Sequence, residues 1–236
     1  MIKLINNEFI KVKKSRILFT YILLIISLII MDKYSNKNIL DLSFNLIPFI
    51  GIITCILYGG TINGEIDKGT FRYYLTKPYK RWKIYFSKII SIIIYLVLSI
   101  IVVMITSIII NNGYDGNYIS KYIIHSIPLL FISTYLIYLS TIFKSQTMTS
   151  TISILTLSFS LIIAQVLFGI EFNFIEYTFL PYLDYSLFND KVFLSNMNHE
   201  LGTHLSINRA ILIDLIYSMV FYIIGLVKFN KKDIKG

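Results

Sequence analysis

The chain of 236 residues is 56% hydrophobic and 15% charged, with a mean hydropathy of +0.70, against about 45–50% and 25% in soluble domains. That balance predicts one membrane domain, residues 1–236, with no room for a soluble catalytic unit. The net charge of +9 sits beside apolar runs and forms no continuous patch, which excludes nucleic acid as a partner and suits topology setting and anionic head groups.

Residues 1–16 interleave Leu4, Ile5, Phe9, Ile10 and Val12 with Lys3, Lys11, Lys13, Lys14 and Arg16. This is the pattern of an amphipathic helix lying on the membrane face. The apolar run 17–31 follows a basic start, as in a signal peptide. No small-residue cleavage site comes after it, so an uncleaved first span is expected. Further spans are read at 39–63, 84–110, 122–143, 147–170 and 209–229. The second holds Pro48, Gly51, Gly59 and Gly60, and also Cys55, the single cysteine, which rules out an intrachain disulfide and a cysteine metal cluster. The third and fourth spans are joined by a short polar turn, residues 111–121, and the fourth and fifth only by Lys144, Ser145 and Gln146. With their flanks, all six reach the ~20 residues that a ~30 Å hydrocarbon core requires. The expected fold class is an all-α polytopic membrane protein. The aromatic-rich interval 171–208 is too long for a free loop and is expected as short helices half-sunk in the outer interface.

Charge orients the spans. With the N-terminus inside, only Lys33, Lys37, Lys121, Lys191 and Arg209 of the 22 Lys and Arg fall in outer segments. The acids lean outward: Asp32, Asp115, Glu171, Glu176, Asp184, Asp190 and Glu200. By the positive-inside rule both termini are expected in the cytoplasm. Residues 64–83 then form the major cytoplasmic loop and 171–208 the extracellular segment.

That loop opens acidic with Glu65 and Asp67, passes through Gly69 and Thr70, and ends basic with Lys77, Lys80, Arg81 and Lys83. Thr70 can cap a short helix whose Phe71, Tyr74 and Leu75 share one face. Pro78 would end that helix and begin the next. Trp82, the only tryptophan, would sit at the bilayer interface. A short amphipathic helix on a tight bend suits either docking of a partner or resting on lipid.

Glu65, Gly69, Thr70, Leu75, Pro78, Arg81 and Lys88 together resemble the loop after the second span in ABC-2 type exporter permeases. There the pattern runs acid, Gly-Thr, apolar residues, Pro, a basic residue and a Lys opening the third span. The six-span layout is similar to that family as well. The resemblance implies that 64–83 holds a coupling helix, with Glu65, Gly69, Thr70, Phe71, Leu75, Pro78 and Arg81 as coupling residues. It implies a separate cytoplasmic ABC ATPase carrying ATP and Mg, and a second permease copy or sister permease. This chain would bind no cofactor itself. Glu65 would either pair with a basic residue of the ATPase or cap the short helix.

Other motifs are weaker. Gly64 and Gly69 have phosphate-loop spacing, but Thr70 and Phe71 stand where Lys and Ser/Thr are needed. His199 and His204 are five apart, ~140° around a helix, where a zinc-protease pair needs four. Asp214 is a candidate intramembrane polar group, or pairs with Arg209, or reaches the interface. His125, near the outer end of the fourth span, reads the same way. Gln165 and the Ser/Thr series of the fifth span (Thr147 to Ser160) would pack the bundle, line a subunit seam or border a polar path. The expected function is the permease of an exporter for amphipathic or lipid-soluble cargo, antimicrobial peptides included, in a bacterial plasma membrane. The alternative is a non-transporting membrane scaffold or sensor; the clustered ligands an enzyme would need are missing from the sequence.

Overall fold

The computed structural model describes residues 1–12, 14–35, 39–70, 79–111, 117–169, 173–185, 188, 194–196, 198–199 and 202–231. Among the described residues the chain is helical and has no strand. The elements are α1 (Ile2–Lys11), α2 (Lys14–Tyr34), α3 (Ile39–Ser43), a 3-10 turn (Phe44–Leu46), α4 (Ile47–Tyr58) and α5 (Asn63–Asp67). Then come α6 (Arg81–Asn111), α7 (Asn117–His125), α8 (Ile127–Ile142), α9 (Gln146–Gly169), 3-10 turns at Asn173–Tyr177 and Leu180–Tyr182, and α10 (Ile207–Lys231). The short helix expected over Phe71, Tyr74 and Leu75, and Pro78 that would end it, lie outside the described residues.

Six helical stretches are long and apolar enough to cross a membrane: Ser15–Tyr34, Ile39–Asp67, Arg81–Asn111, Tyr118–Ile142, Gln146–Leu167 and Ile207–Lys231. Their 20 to 31 residues reach ~30 Å or more at ~1.5 Å per residue. The amphipathic start is a helix of its own, because Val12 turns to an extended conformation and α2 begins afresh at Lys14. Two spans are not single helices. The second is interrupted by the Phe44–Leu46 turn before α4, and the fourth by Ser126 before α8. In each case a proline, Pro48 or Pro128, occupies the first turn of the helix that follows, where its missing N–H is not needed. After a turn at 59–62 a separate short helix, α5, carries the second span to Asp67, beyond the expected border at Asn63. It starts at Asn117, inside the segment expected as a polar turn.

Helix α6 is the axis of the bundle, touching α1, α2, α3, α4, α8 and α10. Helices α8 and α10 run closely together, and α9 lies on α4 and α8. Gly225 permits the approach of α10 to α6: a Cβ there would stand 2.1 Å from Tyr85 Oη. The first, fifth and sixth spans are peripheral, with exposed apolar faces such as Ile26 and Ile29, Ile162 and Val166, and Met219 and Ile223. Apolar surface alone does not drive helices together in lipid, so close packing and hydrogen bonds must. The hydroxyls of α9 serve that purpose. Thr149, Ser153 and Ser160 are buried in the bundle, and Thr156 lies 3.1 Å from Tyr135 Oη on α8.

The two ends of the bundle are chemically distinct. At one end Arg81 Nη1 donates to the Asn230 carbonyl at 2.8 Å, joining the start of α6 to the end of α10. At the same end Asn63 donates to Ser145 O at 2.9 Å and Thr149 Oγ1 at 2.7 Å. At the other end Phe44 stacks on His125 at 4.7 Å. There Tyr182, Tyr185, Leu205, Ala210 and Ile213 form a second apolar cluster under the 171–208 segment.

Candidate functional site

The densest buried charge lies where α1, α5 and α6 meet. The amphipathic register of α1 puts Leu4 and Glu8 on its buried face, against α6. Two turns into α6, Lys88 is fully buried. Its ammonium donates to Glu65 Oε1 at 2.8 Å, to the Thr61 carbonyl at 2.8 Å and to Glu8 Oε2 at 3.1 Å. An ammonium has three donors, and these acceptors match them. Lys11 completes the cluster, donating to Glu8 Oε1 at 2.9 Å and also to Glu65 Oε1. Burial works against ionising Glu8. Lys88 and Lys11 outweigh it and hold the Glu8 carboxyl below the usual carboxylate range.

Four charges balanced in this way tie three separate elements into one joint. Glu65 is the member next to the loop, and its position is set by α5. That helix ends through Gly69, whose φ of 66° places it in the left-handed region, where glycine closes helices. The Gly69 amide donates to Ile66 O at 3.0 Å, and Thr70 Oγ1 donates back to Glu65 O at 3.2 Å. The Gly-Thr pair therefore ends the extension of the second span. Among the described residues Glu65 is engaged by Lys88 and Lys11 of its own chain. Its Oε2 is buried and has no hydrogen-bond partner. Glu65 also lines a cleft of about 330 Å³, together with Glu8, Lys11, Arg16, Lys68 and Gln146.

The structure thus brings Glu65, Gly69 and Thr70 together with Lys88, and sets Arg81 apart on the Asn230 carbonyl. Phe71, Leu75 and Pro78 lie outside the described residues. Glu8 and Lys11 were not recognised as site residues from sequence. The signal was present: Leu4, Glu8 and Val12 recur at helical spacing, so the acid falls on the apolar stripe.

At the opposite end, Asp214 is fully buried but does not pair with Arg209, contrary to one expectation. The two are five residues apart, ~140° around the helix, and look different ways. Asp214 Oδ2 accepts from Tyr185 Oη at 2.9 Å, while Oδ1 has no partner. Burial first, and then Asp214 beside it, push the Tyr185 hydroxyl above its ordinary range, so Tyr185 stays a donor. Arg209 Nη1 instead donates to Glu176 Oε2 at 2.9 Å, and Glu176 Oε1 accepts the His204 amide at 2.7 Å. Gly202 turns with φ 61°, a conformation that the helix needed by a His199–His204 metal pair does not contain. No group of three metal-binding side chains occurs among the described residues. Gln165 is exposed on the outer surface of α9, away from the core.

A protein-family model described as protein of unknown function (DUF2705) matches residues 9–235. The chain belongs to this family. No curated protein matches it. The family description names no activity, and the match runs from α1 through α10, so it covers every member of the charged joint except Glu8.

Proposed function

We propose that the chain is the transmembrane permease subunit of an ATP-driven exporter, with both termini and the 64–83 loop in the cytoplasm. A separate cytoplasmic ATPase would hold ATP and Mg and dock on that loop. Two permease copies, or this chain and a sister permease, would enclose the path for an amphipathic or lipid-soluble cargo. What carries this reading is the buried joint of Glu8, Lys11, Glu65 and Lys88. It stands at the root of the loop and links the second span, the third span and the surface helix α1. A push on the loop cannot move Glu65 without moving Lys88 on α6 or stranding buried charge, which is costly. The resemblance of residues 65–88 to the coupling loop of ABC-2 permeases supports the same reading, as does the positive-inside distribution of Lys and Arg.

The test is to look for a soluble P-loop ATPase encoded beside this gene and to co-express the two. The two should purify together, hydrolyse ATP in lipid, and give a mass that requires two permease copies. Leu75→Asp should release the ATPase and abolish export at unchanged abundance, since an unpaired buried charge on a docking face is costly. Normal export from that variant would remove the docking role of the loop. Failure of any ATPase to associate would leave the scaffold or sensor reading.

A further inference from the structure

Beside the charged joint, two cavities meet. The first is the cleft of about 330 Å³ described above. The second, also about 330 Å³, is an apolar groove between α2 and α4 lined by Ser15, Phe19, Leu23, Ile53 and Ile56. Arg16 and Leu57 line both, so the two adjoin, polar at the end of the bundle and apolar toward its middle. The antiparallel helices agree on the direction. Along α2 the groove runs inward from Ser15 to Leu23, and along α4 inward from Leu57 to Ile53. Eight residues of helix cover ~12 Å, close to the ~15 Å depth of one leaflet.

The polar end has an excess of positive charge. Glu8 and Glu65 are balanced by Lys11 and Lys88, which leaves Arg16 and Lys68. Both are exposed, and neither has an ion-pair partner among the described residues. Two residues that line the same cleft, Glu65 and Thr61, each have a buried side-chain oxygen, Oε2 and Oγ1, without a hydrogen-bond partner among the described residues. Two cations without an ion-pair partner among the described residues call for a phosphate, the unmet carboxylate oxygen for a hydroxyl donor, and the groove for an acyl chain.

We infer that this composite groove is a binding site for one anionic phospholipid of the phosphatidylglycerol type. Its phosphate lies between Arg16 and Lys68, its head-group hydroxyl donates to Glu65 Oε2, and one acyl chain lies along Phe19, Leu23, Ile53 and Ile56. The site goes beyond the exporter reading and does not depend on it. A lipid held there would brace α1, α2 and the root of the loop from the side opposite α6.

Native mass spectrometry of the full-length chain in detergent, with dioleoyl phosphatidylglycerol or dioleoyl phosphatidylcholine added, tests this without any ATPase. One phosphatidylglycerol per chain should be retained in preference to phosphatidylcholine. Arg16→Ala with Lys68→Ala should weaken phosphatidylglycerol retention about thirtyfold, about fivefold per charge, and leave phosphatidylcholine unchanged. Both side chains are exposed, so the variant should keep its helical circular dichroism and melting point. Ile56→Trp should fill the groove and reduce retention with the charges intact. Equal retention of the two lipids, or a preference that survives the double substitution, would overturn the site and indicate annular lipid only. Displacement by millimolar inorganic phosphate would overturn the acyl-chain half of the assignment.

Discussion

Lys88 holds the charged joint together. Its side chain is 0% exposed and faces two carboxylates, whereas the Lys11 side chain is 36% exposed. Removing one partner from a buried ion cluster leaves uncompensated charge and costs about 3–5 kcal/mol. An exposed pair is worth about 1 kcal/mol or less. Lys88→Ala should therefore lower the thermal midpoint in nanodiscs far more than Lys11→Ala; equal effects would mean that Glu8 and Glu65 find water instead. Protonation offers a second handle on the same residues. The folded-state carboxyl of Glu8 titrates below its ordinary value of 4.5. Its contribution is therefore fully present above that value and is lost as pH falls through the lowered one. The stability gap between wild type and Glu8→Gln should be wide at neutral pH and close only as the pH drops below 4.5. A gap that closes near pH 6–7 would point to a titrating group other than Glu8.

At the scale of elements, the contact between α6 and α10 depends on a missing side chain. The nearest atom to a Cβ at Gly225 is Tyr85 Oη at 2.1 Å, while the next, Tyr85 Cζ, is at 3.1 Å. The Tyr85 hydroxyl is buried with no hydrogen-bond partner. Gly225→Ala should thus destabilise the bundle by about 1–3 kcal/mol, as overpacked cores do. Adding Tyr85→Phe should recover most of that loss, a coupling that a double-mutant cycle of melting free energies would read directly. Such pairings could not be seen in the sequence, since hydropathy locates a helix without saying which face meets which neighbour. The same limit explains other differences. The six apolar runs were legible because a lipid core demands ~20 apolar residues whatever the fold. The breaks before Pro48 and Pro128 were not, because a proline can sit in a kinked span or in the first turn of a new helix. Glu65 and Lys88 were legible as members of one motif, but their direct contact was not. Glu8 escaped notice because its partner Lys88 is 80 residues away.

For the whole molecule, the decisive property is which end of the bundle faces the cytoplasm. The structure sets α1, the root of the 64–83 loop, the turn at Ser145 and the end of α10 together, so their sidedness must be shared. Of the basic residues, Lys3, Lys11, Arg16, Lys68, Lys80, Arg81, Lys83, Lys144, Lys228 and Lys231 all lie in or next to these segments. The opposite end holds Lys33, Lys121 and Arg209 along with Asp32, Asp41, Glu176 and Asp184. Lys and Arg in short loops resist translocation, whereas Asp and Glu have little influence. The end carrying the charged joint is therefore the one expected to stay inside. Single cysteines at two exposed positions test this in a Cys55→Ser background, Lys80→Cys at the joint end and His199→Cys at the other. An impermeant thiol reagent applied to intact cells should label position 199 and spare position 80, and permeabilised cells should label both. The reverse pattern would turn the bundle over. It would place the 64–83 loop outside, where no cytoplasmic ATPase can reach it, and the exporter proposal would fall, while the lipid groove would survive in the other leaflet.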